Sequence, residues 1–303
     1  MTEFIFSEEF LQRSVVFALP ILFAAFAALI SNRAGIVNIN IEGSMSVAAV
    51  CGTLASHFSG SWLIGLIVAM LVGVAMSMIL AGSALVLRTD SFLSGIALNT
   101  FATGLSVYIL YAVLEVKGDS SSAPAVAIPN ISVPLLRDIP VIGKLLFDQS
   151  LLFYIAIACT AVLVFLLNKT KLGTEIRATG FNPEAAESVG INTKLVKTKA
   201  LIICGLFSGL GGAFLSMSYL QYFSAGMVSG RGFIGIAAEA MGAGKPVLTA
   251  LFSLLFGAVT YFSVGAQTVI AFPYQILNTF PYIMTLIAMI IYAVINKNKL
   301  SKK

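Results

Sequence analysis

Long apolar runs, each closed by a short polar or glycine-containing break, dominate this chain. They lie near Ser14–Ile30, Ser44–Ala55, Trp62–Leu87, Phe92–Leu114 and Leu151–Leu167, then near Ala200–Ser216, Phe233–Met241, Val247–Phe262 and Phe280–Ile295. A helix advances about 1.5 Å per residue, so crossing a bilayer takes about 20 mostly apolar residues. Most of the runs meet that length. Ser44–Ala55 and Phe233–Met241 do not. Each is expected to be a broken or re-entrant helix, or to extend into its flanks. The pattern predicts an all-α integral membrane protein with about nine transmembrane helices (about 8–10). Residues 1–303 are expected to form a single transmembrane domain.

Composition agrees. The chain is 58% hydrophobic and 10% charged, with a mean hydropathy of +0.98. Soluble domains carry about 25% charged residues, far more than are available here. The net charge of +5 does not point to nucleic acid, because the basic residues stand in connections beside apolar runs, where they report orientation. Cys51, Cys159 and Cys204 lie inside apolar runs without metal-ligand spacing and read as buried thiols; no metal site is expected. The start, MTEFIFSEEFLQRS, is acidic, and no small-residue cleavage site follows the first apolar run. That run is therefore expected to remain as a membrane helix.

Charge placement sets the expected topology. Residues 168–199 contain Lys169, Lys171, Arg177, Lys194, Lys197 and Lys199, and the tail holds Lys297, Lys299, Lys302 and Lys303. Both are expected in the cytoplasm. The 115–150 connection offsets Lys117, Arg137 and Lys144 with Glu115, Asp119, Asp138 and Asp148, and is expected outside. Its Pro124, Pro129, Pro134 and Pro140 argue against one long helix. Nine crossings then place the N-terminus outside and the C-terminus inside. If Ser44–Ala55 only dips into the bilayer, the N-terminus moves inside. Trp62, Tyr108, Tyr111, Tyr154, Tyr219, Tyr222, Tyr261 and Tyr282 fall near the expected outer ends, as an interfacial belt or as the lining of a substrate vestibule.

Two segments look alike. RAGIVNINIEG runs from Arg33 and contains Glu42; RGFIGIAAEAMG runs from Arg231 and contains Glu239. Each sets an Arg and a Glu around a glycine-containing apolar stretch beside a short run. Their opposite expected orientations suggest an inverted repeat, with interrupted segments near the substrate path. Charged groups at membrane depth are costly and often functional. Glu42 and Glu239 lead that class, with Arg33 and Arg231 as ion-pair partners, and they serve either to pin the broken segments or to handle solute. Asn38, Asn40 and Asn99 suit hydrogen bonding to a polar solute or between helices. Tyr219 and Tyr222 complete the candidate solute path. Gly205-x-x-x-Gly209, followed by Gly211 and Gly212, allows close helix approach.

GFNPEAAESVGIN, Gly180–Asn192, is the polar exception at mid-chain. Asn182 suits the N-cap, Pro183 the first helical position, and Glu184 and Glu187 the positive end of the dipole. Gly190 suits the left-handed position beyond the C-terminus. A two-turn helix is unstable alone, so it needs a surface. Ala185, Ala186 and Val189 offer a small-residue face for one, on this chain or on a partner.

The form G-x-N-x-x-A-A-x-x-x-G-I, basic on both sides, resembles the coupling loop of ABC-importer permeases. It is closest to the group that handles branched-chain amino acids, simple sugars and nucleosides. NRAGIVNINIEG, DSFLSGIALNTFATGL and SGLGGAFLSMSYLQYFSAGMVSGRGFIGIAA resemble further signatures of the nucleoside-type members, in the expected order from about Asn32 to Ala238. SFLSG, after Asp90, departs from the more acidic and aliphatic sequence of that pattern. The resemblance implies a permease subunit that binds a separate ATPase, a second and related permease (or a second copy), and an extracytoplasmic substrate-binding lipoprotein, in the plasma membrane. It implies no cofactor on this chain, with ATP and Mg held by the ATPase. Asn182, Pro183, Glu184, Ala185, Ala186, Val189 and Gly190 would carry the coupling. GAGKP, Gly242–Pro246, is too short for a P-loop and lacks the hydroxyl after Lys245, so no ATP hydrolysis is expected here. The competing readings are a simple-sugar permease and an ion-coupled secondary transporter using Glu42 or Glu239.

Overall fold

The computed structural model describes residues 8–131 and 149–269, with isolated helical positions at Thr279, Ile283, Leu286, Ile287 and Ile290. The rest of the last apolar run, the lysine tail, and Pro134, Arg137, Asp138, Pro140, Lys144 and Asp148 lie outside the described residues. Helices dominate. In chain order they are α1 (Glu8–Arg33), α2 (Ile41–Ser59), α3 (Trp62–Ala81) and α4 (Ser91–Leu114), then α5 (Leu151–Lys169), α6 (Lys171–Phe181) and α7 (Pro183–Ser188), and finally α8 (Thr193–Ala213), α9 (Arg231–Gly242) and α10 (Pro246–Val269). Wide π turns extend α3 through Gly82–Val86 and α8 through Phe214–Tyr219. A minimal antiparallel pair, β1 (Asn130–Ile131) and β2 (Gln149–Ser150), closes the base of the long connection.

Among the described residues, six helices are long and apolar enough to cross a membrane: α1, α3, α4, α5, α8 and α10. The two short runs resolve differently. Ser44–Ala55 extends on both sides into the 19-residue α2, about 28 Å long. Phe233–Met241 becomes the 12-residue α9, about 18 Å and short of a crossing.

Helix starts follow local chemistry. Side-chain oxygens of Asp90, Thr170 and Asn192 accept the backbone N–H of Leu93, Gly173 and Leu195. Each satisfies a donor that its helix leaves open. Gly60, at φ +65°, ends α2 in the left-handed conformation that costs glycine little.

The centre is built from α1 and α8, whose apolar windows are 94% and 83% buried, whereas α4 reaches only 17%. α1 packs on α8, α9 and α10, and α8 packs on α1, α2 and α3. Glycine permits the closest of these contacts. A Cβ on Gly209 would lie 2.5 Å from the Ala69 carbonyl oxygen, and one on Gly205 would lie 2.5 Å from Val74 Cα. The glycine stripe of α8 is thus filled by α3 of the same chain.

The molecule has two chemically distinct ends. At the loop end, the 115–131 segment is bonded to residues 217–225: Ser120 and Ala125 N–H donate to the Phe223 and Gln221 carbonyls, and Ile128 N–H to that of Met217. The His57 ring meets the Pro124 carbonyl oxygen at 3.0 Å, tying in the end of α2. The Ser121 hydroxyl and amide hold the Asp119 carboxyl below its ordinary value. At the basic end lie Arg33, α6, α7, and the junction of α9 with α10.

Candidate functional site

α7 sits at the basic end as a capped single-turn element. Asn182 Oδ1 accepts the Ala185 N–H at 3.0 Å, and Pro183 occupies the first position, where an N–H would have no partner. Gly190 takes φ +83°. The Thr193 hydroxyl donates to Glu187, tying α7 to the start of α8. The face expected of Ala185, Ala186 and Val189 divides. Ala186 is 3% exposed and anchors α7 on its own chain; Val189 is 75% exposed and Ala185 is also open. Pro183 and Glu184 are exposed beside them.

Immediately before α7, the chain crosses the end of α1. Gly35, at φ +76°, and Gly180 pack backbone against backbone: a Cβ on Gly35 would lie 3.1 Å from Gly180 Cα, and one on Gly180 would collide with the Arg33 carbonyl oxygen. Gly35 opens the non-helical stretch that carries Asn38 and Asn40 to Glu42, so α7 and that stretch share one joint.

The two Arg/Glu segments interlock crosswise. Glu42 accepts the N–H of Gly230 and of Gly232, each at 2.7 Å, and Arg231 adds electrostatic attraction. One carboxylate thereby caps the N-terminus of α9. At the other end of α9, Glu239 accepts from Asn32 Nδ2 at 2.6 Å and feels the charge of Arg33. Arg33 itself donates to the Ala243 and Gly244 carbonyls, at 3.0 and 2.7 Å. Each Glu therefore answers to the other segment's arginine, and α9 is held at both ends.

The remaining solute-path candidates are not gathered in one cavity. Asn38 is buried, with Nδ2 donating to Cys204 Sγ and Oδ1 accepting the Asn40 N–H. Asn40 donates to the Ser44 hydroxyl at 3.0 Å. The Oδ1 atoms of Asn40 and Asn99 are buried without partners among the described residues, and both face Gly43. Tyr219 stacks edge-on against Phe17 and lines a separate loop-end cavity of about 550 Å3, with Gln12, Arg13, Asn130 and Ser218. Tyr222 is half-buried in the same 217–225 segment.

Residues 10–294, nearly the whole chain, match the family described as the branched-chain amino acid transport system permease component. The chain belongs to this permease family. A nucleoside ABC transporter permease protein of Lactococcus lactis, NupC, is 32% identical to it, over 92% of this chain and 90% of that protein. The guanosine ABC transporter permease protein NupQ of Bacillus subtilis is 32% identical, over 91% and 89%. A provisionally named glucose ABC transporter permease protein of Haloferax volcanii is 29% identical, over 96% and 93%. Among solved structures, a transporter assigned to the metal-chelate type of ABC transporter, in an inward-facing conformation, matches with a TM-score of 0.50 at 16% identity, covering 98% of this chain and 88% of that one. At that identity the likeness concerns the fold alone. The permease is a multi-pass membrane protein and a transport subunit, not an enzyme.

Two residues of the permease escaped the sequence reading. Phe181 is 94% exposed beside Asn182, and Leu195 is 51% exposed at the start of α8. An apolar residue ahead of an N-cap ordinarily packs back on the helix, so nothing in the sequence singles out Phe181. Only its exposure marks it as a surface group.

Proposed function

We propose that the permease forms part of the translocation path of an ATP-driven nucleoside importer, taking motion from a separate ATPase through α7. The observation that carries this is a capped helix at the basic end with exposed apolar residues on and beside it: Phe181, Ala185, Val189 and Leu195. Large exposed apolar groups on a polar surface mark interaction sites. Asn182, Pro183, Glu184 and Gly190 set the shape of this one, and Ala186 anchors it. Kinship with two nucleoside permeases supports the choice of solute. ATP and Mg would be held by the ATPase, a related second permease would complete the path, and an extracytoplasmic lipoprotein would deliver the solute.

The joint between Gly35 and Gly180 offers a route inward. Displacement of α7 bears on the end of α1 and on the stretch carrying Asn38, Asn40 and Glu42. The pairing of α1 with α10 and of α8 with α3 is what an inverted repeat relating α1–α3 to α8–α10 requires, and it supports that reading. The first turn of α1 lies at the loop end, away from the lysine-rich connections, which favours an external N-terminus and a nine-crossing count in which α2, the last apolar run, and the 220–242 segment ending in the short α9 each make one passage.

Reconstitution with the ATPase, second permease and lipoprotein tests the proposal. Guanosine uptake into proteoliposomes is expected to need ATP and to survive collapse of ion gradients. Uptake driven by an ion gradient without the ATPase would overturn it. The glucose-permease relative makes a simple sugar the second reading; saturable glucose uptake with no competition from nucleosides would establish that instead. Glu42 suits an ion-coupling role poorly, because two backbone amides already engage its carboxylate.

A further inference from the structure

A cleft of about 410 Å3 opens between the basic ends of α5 and α10. Its lining changes character along the helix axes. Val164, Leu167 and Val247 lie within α5 and α10, and Val247 is 52% exposed. Arg33 ends α1, Lys245 precedes α10, and Arg177 comes from the middle of α6. A second cavity of about 460 Å3 shares Arg33 and Arg177, so the positive region is continuous.

The charge is unbalanced. Glu239, bonded to Asn32, lies within electrostatic reach of Arg33. Among the described residues, no carboxylate lies within 4 Å of Arg177 or Lys245. Among the described residues, Arg177 donates from Nε to the Gly173 carbonyl at 3.4 Å, and Lys245 is exposed. The start of α10 contributes further positive potential, since its first amides lack helical acceptors.

Two exposed cations beside an apolar slot between the ends of two spanning helices match a phosphate carried on acyl chains. We propose that this cleft binds an anionic phospholipid, its phosphate between Arg177 and Lys245 and an acyl chain along Val164 and Val247. Basic clefts between membrane helices are suited to such headgroups. The inference rests on the chain spanning a membrane and not on which solute it carries.

The test uses the intact transporter complex in detergent, followed by native mass spectrometry during titration with dioleoyl phosphatidylglycerol or dioleoyl phosphatidylcholine. Each basic residue near such a headgroup contributes about fivefold in affinity, so Arg177→Gln with Lys245→Gln is expected to weaken phosphatidylglycerol binding about thirtyfold and leave phosphatidylcholine unchanged. The lipid-free unfolding midpoint should not move, since both side chains are exposed. Equal binding of the two lipids, or no loss in the double variant, overturns the proposal. So does competition by soluble sn-glycerol 3-phosphate at the concentration where the lipid saturates, which would make this a site for free phosphate esters. A photo-crosslinker in place of Val247 should label the acyl chain; labelling of the ATPase or the second permease would assign the cleft to a protein.

Discussion

Glu42 shows how much one side chain decides here. Its two oxygens take two backbone N–H groups at the start of a helix buried in the molecule. Hydrogen bonds to a charged group contribute about 1.5–3 kcal/mol each, and orphaned buried donors carry their full desolvation cost. Glu42→Ala is therefore expected to destabilise the permease by about 3 kcal/mol or more, read as a lower thermal unfolding midpoint in detergent. An unchanged midpoint would remove the capping role. Glu239 works differently, since its partner is the Asn32 side chain and Arg33 holds the α9 C-terminus independently. That Glu42 and Glu239 matter was legible from charges flanked by apolar residues. Their crosswise partners were not, because Arg33 and Arg231 are equally near both glutamates as types and only the packing of α9 against α1 and α2 chooses between them.

At the scale of elements, α7 separates anchoring from contact. Val189→Asp or Phe181→Asp is expected to abolish co-purification of the ATPase while leaving the unfolding midpoint unchanged, because both side chains are exposed. Ala186→Arg is expected to lower the midpoint as well, since Ala186 is buried against its own chain and a cation placed there lacks a partner. If Val189→Asp and Phe181→Asp both leave the association intact, the docking role of α7 fails. The caps of α7 were readable because capping is local: an oxygen at Asn182 needs only the amide three residues on. Which of Ala185, Ala186 and Val189 faces inward depends on α6 and α8, and a helix of six residues is too short for periodicity to say. The same holds for α2, where the apolar run understated the helix because Ile41, Glu42 and Gly43 are recruited by contacts at a distance.

At the scale of the whole molecule, the contact between Gly35 and Gly180 joins the α7 surface to the interior. If motion passes through it, Gly180→Ala should leave the ATPase bound yet reduce ATP-driven uptake about tenfold or more, because the added Cβ meets the Arg33 carbonyl oxygen. Unchanged uptake would mean that the joint only packs. The lipid cleft between α5 and α10 lies beside this joint and shares Arg33 with it, which places its occupant against the end of α1.

Taken alone, the sequence determined that this is a multi-span helical membrane protein and which polar segment breaks the pattern. Those properties rest on apolar length, basic residues in connections and capping, all of which act over a few neighbouring residues. Tertiary structure decided that α1 and α8 form the centre, that α3 fills the glycine stripe of α8, and that Glu42 and Glu239 exchange partners. It also decided that Phe181 stands open while Ala186 does not. Every main helix is apolar around most of its circumference, so hydrophobicity alone does not say which face meets protein. Close glycine contacts and the need to satisfy buried polar groups do, and both exist only once distant segments have met.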